Sequence, residues 1–275
     1  MQNFDVVIVG AGISGIGAAC HLQQSCPDKT FTILESRKQI GGTWDLFRYP
    51  GIRSDSDMHT LGFNFKPWTA AKSIADGPSI KSYLQETIAE RGLAKHIQHE
   101  HKVHSAEWSS DSSTWTVTTD HGGKTEQFRC NFLMMCSGYY NYDTPYTPDF
   151  RGQENFQGTV IHPQHWPKDL DYNGKKVVVI GSRATAMTLV PAMADEAASV
   201  TMLQRSPTYV VSRPYQDKIA NTLRKLLPDS IAYALTRFKN TQLQHFMYQR
   251  MRKQPHKMKK GLISLVREAL GPDYD

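Results

Sequence analysis

The sequence has 275 residues, 39% of them apolar and 21% charged, which is typical of a globular protein of one or two domains. Its 4 cysteines form no CxxC pair and have no histidine partners at zinc spacing, so a structural metal site is not expected. The net charge of +6 arises in the last 60 residues, where 12 Lys and Arg outnumber 5 Asp and Glu; no base-reading motif accompanies it, so nucleic acid is not an expected partner. The apolar runs are far shorter than the roughly 18 residues of a membrane-spanning helix, and no signal peptide precedes Gly10, so we expect a cytoplasmic protein.

The first half of the chain begins with a predicted β-α-β unit. A β-branched run from Asp5 to Val9 ends at a glycine and predicts a buried parallel strand, followed by a helix over 11–24 and a strand over 31–35. The next predicted elements are a loop over 41–68, a helix over 79–91, an exposed hairpin strand over 115–119 and a buried strand over 130–137. A loop as long as 41–68 usually has a functional role.

The second half repeats this pattern. An irregular segment over 139–175 is followed by a strand over 176–180, a glycine turn at Gly181, a helix over 184–194 and a strand over 199–204. Two β-α-β units in one chain predict two nucleotide sites.

From Asp217 onward the sequence is helical in spacing and basic, with breaks at Pro228 and Pro255. Its apolar residues favour a face packed on a core, and the alternative is a helix lying on a membrane surface. These residues are Ile219, Leu223, Leu226, Leu227, Ile231, Leu235 and Phe238.

The first turn, residues 10–15, matches the dinucleotide-binding fingerprint. Gly10 allows the tight turn, Gly12 lets the backbone approach a pyrophosphate, and Gly15 lets the helix pack on the strand. Glu35 lies at the position where an acidic side chain binds ribose hydroxyls. The alternative is a glycine turn in an unrelated α/β protein, but strand, helix, spacing and acid all agree with the nucleotide site.

The second turn, residues 181–186, departs from the fingerprint. Arg183 occupies the middle position, which favours no side chain, and Ala186 replaces the third glycine. After the second strand, Arg205 stands where an acidic residue would select NAD, and a guanidinium there suits the 2′-phosphate of NADP. The alternative is a solvated charge at the strand end. The predicted NADP contacts are Gly181, Ser182, Arg183, Ala184, Thr185, Ala186, Met187, Thr188, Arg205 and Ser206.

Three further motifs resemble the class B flavin monooxygenases. They are Gly41-Gly42-Thr43-Trp44, then Arg48-Tyr49-Pro50-Gly51-x-Arg53-x-Asp55, and Phe156-x-Gly158-x-x-x-His162-x-x-x-Trp166-Pro167. The last of them, the fingerprint segment, is similar to the Baeyer–Villiger signature. Asp45-Leu46-Phe47 and Ser54-Asp55-Ser56-Asp57 resemble the subgroup that activates the thioamide drug ethionamide.

The resemblance implies an α/β fold with two Rossmann-like dinucleotide-binding domains, for FAD and NADP, the second inserted in the first and followed by a helical segment. The implied boundaries are 1–145 for the FAD domain, 146–175 for a linker, 176–215 for the NADP unit and 216–275 for basic helices. The implied FAD contacts, besides the first turn and Glu35, are Ser14, Thr43, Trp44, Asp45, Leu46, Arg53, Asp55 and Val103.

By resemblance, NADPH reduces the flavin, O₂ adds to form a C4a-peroxide, and the peroxide inserts oxygen into a ketone or oxidises the sulfur of a sulfide or thioamide. Asp55, His162 and Trp166 are the implied catalytic residues. The family's catalytic arginine follows the basic helices, so we interpret these 275 residues as the N-terminal part of a monooxygenase.

Two alternatives remain open. A disulfide reductase has a similar nucleotide-binding plan but needs a redox cysteine pair, and Cys20 and Cys26 are wrongly placed for it. A non-catalytic FAD-binding fragment with impaired NADPH binding would agree with Arg183 and with the missing arginine segment.

Overall fold

The computed structural model describes residues 1–206 and 209–271, which form two compact units. The first unit comprises residues 1–52 and 76–173, and the second comprises residues 53–75 and the described part of 174–275. Residues 53–75 therefore group with the second unit, although the sequence assigned them to the FAD domain. The backbone explains this, because the N–H groups of Ser73 and Ile74 both donate to the carbonyl oxygen of Tyr215, at 2.8 and 3.2 Å. The domain boundaries expected from the sequence stay a prediction.

The first unit is built on a six-stranded mixed sheet. Its strands are β1 (Gln2–Val9), β2 (Phe31–Leu34), β3 (Ile97–Gln98), β4 (Lys102–Ser109), β5 (Thr114–His121) and β6 (Lys124–Met135), in the spatial order β3-β2-β1-β6-β5-β4. Its helices are α1 (Ile13–Ser25), α2 (Thr43–Leu46) and α4 (Gly77–Glu90). β1 pairs in parallel with β2 and β6, while β4, β5 and β6 are antiparallel. The β-branched residues of β1 are buried between these neighbours, as the sequence predicts.

The predicted buried run over 130–137 is wrong in its second half. Phe132, Met134 and Met135 are exposed, by 57%, 37% and 61% respectively. The reason is that β5 pairs with β6 only as far as Cys130. Beyond that residue β1 is the only described strand that pairs with β6, so residues 132–135 lie at an open edge of the sheet.

The second unit contains the repeated β-α-β pattern and the basic helices. Its elements are α3 (Met58–Leu61), β7 (Lys176–Ile180), α5 (Ala184–Met193), β8 (Ser199–Leu203), α6 (Lys218–Leu226), α7 (Asp229–Lys253) and α8 (Pro255–Leu270). β7 and β8 pair in parallel. The break between α6 and α7 falls at Pro228, and the break between α7 and α8 falls at Gln254, next to Pro255, as the sequence predicts. The fold class predicted from the sequence is confirmed.

The apolar face predicted for the C-terminal helices is not the buried one. Ile219, Leu226, Ile231, Leu235 and Phe238 are exposed, and the buried residues of α6 and α7 are Ala220, Ala232, Thr236 and Asn240. The polar residues on this side of α7 bind residues 57–63: Asn240 Nδ2 donates to Asp57 Oδ1 at 3.0 Å, and the Tyr233 hydroxyl donates to the Phe63 carbonyl oxygen at 3.2 Å. Within the described ranges, no helix is both long and apolar enough to cross a membrane.

Candidate functional site

In the first turn, two of the three glycines are required by the protein's own packing. Gly10 has φ of +105°, and a Cβ there would lie 2.6 Å from the carbonyl oxygen of Cys136. A Cβ on Gly15 would lie 1.8 Å from the carbonyl oxygen of Gly10. Strand and helix therefore approach each other as the fingerprint requires.

Gly12 is different, because packing does not explain it. A Cβ there would meet only the Cα of Gly42, at an ordinary 3.8 Å, and the φ of −81° suits any residue. Gly12 is the N-cap of α1 and provides no side-chain cap, while Ser14 is exposed in the first helical turn. A helix N-terminus without a side-chain cap is suited to an anionic group such as a pyrophosphate.

Glu35 lies directly beside this turn. Its side chain is buried, and its carboxylate accepts hydrogen bonds from the backbone N–H of Ala11 at 2.8 Å and of Arg37 at 3.0 Å. These bonds fix the carboxylate against the start of the turn, where an acid can bind ribose hydroxyls. The residues present therefore fit the adenosine diphosphate portion of FAD.

The double-glycine segment packs against the first turn. Gly41 N–H donates to the Ala11 carbonyl oxygen at 3.0 Å, and Gly42, with φ of +54°, approaches Gly12. Thr43, Trp44 and Leu46 follow in α2 and are half-buried. Asp45 is buried, and its carboxylate is occupied by ion pairs with cationic side chains, so the Asp45 side chain is not free to contact a ligand.

Tyr142 is a site residue that the sequence analysis missed. A Cβ on Gly42 would lie 3.3 Å from the hydroxyl oxygen of Tyr142. Burial raises the pKa of Tyr142, with Glu35 adding to the increase and Thr43 and Arg37 opposing it. The only signal in the sequence is a tyrosine-rich segment after Gly138.

The fingerprint segment is attached to Tyr142 through Gln164, which the sequence analysis also missed. Gln164 is buried, and its amide donates to the carbonyl oxygens of Asn141 at 2.7 Å and Tyr142 at 3.4 Å. His162 Nδ1 accepts the backbone N–H of Gln164 at 3.2 Å, and burial lowers the pKa of His162. Trp166 makes an edge contact with Tyr172. The catalytic roles of His162 and Trp166 stay predictions.

The other expected FAD contacts lie in different surroundings. Val103 is half-buried and packs on a core cluster containing Val9 and Leu34, the last residues of the two strands that lead to the first turn and to Glu35. Arg53 and Asp55 are exposed and belong to the second unit. Asp57, which the sequence analysis did not select, is the buried acid of that segment. It caps α3 and accepts from Asn240 and Gln244.

The second turn has the same plan with different side chains. Gly181 has φ of +141°, and no described atom lies within 4 Å of a Cβ placed there. Arg183 is exposed and is the N-cap of α5, with no side-chain cap. The Thr188 hydroxyl donates to the Ala184 carbonyl oxygen at 2.9 Å and is therefore engaged within the helix. Arg205 and Ser206 are exposed after the end of β8.

The cysteines do not resemble a redox pair. All four are free, and burial raises the pKa of Cys20, Cys130 and Cys136, which disfavours the reactive thiolate. Among the residues described, no group of three or more His, Cys, Asp or Glu could hold a metal ion.

Comparison with known families decides the relationship. A model of NAD(P)-binding Rossmann-like domains matches residues 8–76, and a model of flavin-binding monooxygenase-like proteins matches residues 73–266. The chain belongs to the flavin-binding monooxygenase-like family. This match confirms the family resemblance that the sequence motifs indicated.

The relatives of this family member are monooxygenases. It is 55% identical over its whole length to the FAD-containing monooxygenase EthA of Mycobacterium tuberculosis (strain H37Rv), and spans 56% of that protein. It is 51% identical to the probable FAD-binding monooxygenase AlmA of Acinetobacter baylyi and spans 55% of it. The chain therefore covers little more than half the length of these relatives.

Solved structures give the same assignment. A steroid monooxygenase bound to NADP superposes with a TM-score of 0.70 at 30% identity, covering 85% of this chain and 43% of that one. A cyclohexanone monooxygenase from Rhodococcus sp. Phi1 bound to NADP⁺ gives a TM-score of 0.66 at 31% identity, covering 76% of this chain and 39% of that one.

Proposed function

We propose that the chain is the FAD- and NADPH-binding portion of a monooxygenase that inserts one oxygen atom from O₂ into ketones, giving esters, or oxidises the sulfur of sulfides and thioamides. The observation that carries this proposal is the first turn. Packing does not require a glycine at position 12, since a Cβ there would make only an ordinary contact, and the carboxylate of Glu35 is fixed beside the same turn. Both features fit a dinucleotide, and the family is one of flavin-binding monooxygenases.

In this proposal the first unit binds and orients FAD. The N-terminus of α1 binds the diphosphate, the Glu35 carboxylate accepts hydrogen bonds from the ribose hydroxyls, and the Tyr142 hydroxyl lies at the edge of the double-glycine segment. When bound, FAD supplies hydride acceptance from NADPH and the activation of O₂. Gln164 holds Tyr142 and connects it to His162 and Trp166, whose proposed role is to exclude water from the flavin.

The second turn is proposed to bind NADPH. The backbone N–H groups after Gly181 donate to the pyrophosphate oxygens, and the guanidinium of Arg205 pairs with the 2′-phosphate. Asp55 is proposed to support the family's catalytic arginine, which the resemblance assigns to a later segment. The substrate classes rest on the resemblance alone, and so does the activity of the whole protein, because the chain covers 56% of EthA.

A flavin spectrum with NADPH addition tests the proposal. The purified chain is expected to retain a yellow flavin absorption band that NADPH bleaches in the absence of O₂ and that returns when O₂ is admitted. Ester formation from a cyclic ketone, or sulfoxidation of a thioamide, would establish the activity. A yellow protein that NADPH does not bleach would favour the alternative, a non-catalytic fragment, while a colourless protein that binds no added FAD would contradict the proposal.

The basic helices are proposed to make peripheral contact with an anionic membrane surface. The supporting observation is that α6 and α7 expose apolar residues such as Leu226 and Phe238, by 75% and 66%, among basic side chains. Sedimentation with vesicles containing phosphatidylserine, compared with phosphatidylcholine vesicles, tests it. Equal, weak binding to both vesicle types would refute membrane contact.

A further inference from the structure

A buried carboxylate in the first unit is surrounded by three cations. The Asp45 side chain is only 2% exposed, and its Oδ1 lies 2.6 Å from Lys81 Nζ. Its Oδ2 lies 2.6 Å from Arg37 Nη2, as an ion pair without the geometry of a hydrogen bond. Arg48 Nη2 lies 3.6 Å from Oδ1 and is more exposed. We call these four residues the Asp45 cluster.

The Asp45 cluster lies directly behind the first turn. A Cβ on Gly41 would lie 3.4 Å from the Asp45 Cβ and 3.5 Å from the Lys81 Cγ, and Arg37 Nη1 donates to the Gly42 carbonyl oxygen at 3.4 Å. Gly42 in turn contacts Gly12, where a Cβ on Gly42 would lie 3.3 Å from the Gly12 Cα. The backbone of Gly41 and Gly42 therefore contacts the Asp45 cluster on one side and Gly12 on the other.

The charge of the cluster is not balanced. With Glu35, whose carboxylate accepts the backbone N–H of Arg37, two carboxylates face three cations, so one positive charge is in excess, and the side chains of Arg37 and Lys81 are each only 25% exposed. An ion pair that only fastened α4 to this segment would need one cation, and a second one placed close to it adds repulsion. An excess of positive charge on partly buried side chains beside an anion site instead favours the binding of a diphosphate.

We propose that Arg37 and Lys81, held on opposite oxygens of Asp45, form a cationic site that attracts and neutralises the FAD diphosphate at the first turn. The proposal rests on the proposed function, namely that FAD occupies this turn. Asp45 is then a positioning residue, because its carboxylate holds the two cationic groups in place behind the double-glycine segment and does not contact the cofactor.

The test is the affinity of the deflavinated protein for FAD and for riboflavin, which lacks the diphosphate, at low and high salt. Lys81→Met and Arg37→Met are expected to weaken FAD binding about tenfold each and to reduce its salt dependence, with riboflavin affinity unchanged. Lys81→Arg, which keeps the charge, is expected to bind FAD about as tightly as the parent does. The matched control is Lys38→Met, because Lys38 is 80% exposed and pairs with Glu100 at 3.7 Å.

Each outcome supports or overturns the proposal. If the parent binds FAD and both methionine variants bind it equally well with the same salt dependence, the cationic site is wrong, while the proposed function stands. If the variants lose FAD and riboflavin together, or lose no more FAD than Lys38→Met does, the cluster is structural and the proposal fails. If the parent itself binds no FAD, the proposed function fails first. Should Arg37→Met not fold, Lys81→Met on α4 decides alone.

Discussion

The two glycine turns have nearly the same backbone but opposite chemistry. Gly12 and Arg183 are both the N-cap of the following helix, with φ and ψ of −81° and −172° in the first turn and −102° and −171° in the second. Neither conformation requires glycine. The backbone conformation therefore allows a side chain at the middle position in both turns.

The third positions differ for a steric reason. In the first turn, the backbone oxygen of Gly10 occupies the place of a Cβ on Gly15, whereas the second turn accommodates the buried methyl group of Ala186. The first turn is also enclosed by Cys136 and Gly42, while Gly181 has no described neighbour within 4 Å of its Cβ position. The first turn is thus restricted by packing on several sides, and the second mainly by its own backbone.

Gly15→Ala should have the largest effect. The new Cβ would lie 1.8 Å from a backbone oxygen, which cannot rotate away, so α1 must shift on β1. We expect a loss of roughly 3 kcal/mol in the free energy of unfolding, measured by urea denaturation. The matched change in the second turn, Ala186→Gly, should cost only about 1 kcal/mol. Equal costs would show that the two turns are packed alike.

Gly12→Arg gives the first turn the residue type of the second. Because a Cβ fits there at 3.8 Å from its nearest neighbour, the free energy of unfolding should change little, but the side chain would block the diphosphate. We expect at least about a hundredfold loss of FAD affinity, equivalent to roughly 2.7 kcal/mol, measured by flavin titration beside a thermal melt. A variant that retained stoichiometric FAD would disprove the assignment of FAD to this turn.

The sequence was sufficient to predict the two turns because their glycine spacing reflects local geometry. The strands and helices around them follow for the same reason, since β-branched runs and helical spacing are local signals. Prediction from the sequence failed where the burial of a residue depends on contacts with distant parts of the chain. The buried face of α7 contains Thr236 and Asn240, because it binds Asp57, some 180 residues away in the chain.

The candidate site shows the same division. Glu35 was predictable from its distance to the glycines, but Tyr142 and Gln164 were not, because they reach the site through a segment with little regular structure. The role of Asp45 was likewise hidden, since Lys81 comes from a helix 36 residues later in the chain. Side chains that converge from irregular or distant segments leave no periodic signal.

Arg205→Ala tests the opposite charges of the two sites. Glu35 in the first unit and Arg205 in the second follow the second strand of their β-α-β units, and only the cation attracts a 2′-phosphate. We expect NADPH affinity to fall by about 1.5–3 kcal/mol, roughly ten- to a hundredfold, with NADH affinity unchanged. The measurement is the binding of both nucleotides by parent and variant. Equal affinity of the parent for NADPH and NADH would contradict the assignment.

Arg183→Gly gives the second turn the residue of the first and should have the smallest effect. The Arg183 side chain starts where the backbone must approach the pyrophosphate, and any Cβ crowds that approach. The guanidinium is exposed and has no capping bond, so ordering it on a phosphate would cost side-chain entropy. We expect NADPH affinity to increase about tenfold in the variant, with FAD affinity unchanged.

The opposite result would identify Arg183 as a ligand. If Arg183→Gly weakens NADPH binding or leaves it unchanged, the guanidinium compensates for the lost backbone contacts by pairing with a phosphate, and NADPH binding is not impaired by this residue. Arg183→Lys separates the two explanations further, because a lysine crowds the turn equally but cannot form the bidentate pair. An NADPH affinity of Arg183→Lys equal to that of the parent would support crowding, and a loss of about tenfold would support the phosphate contact.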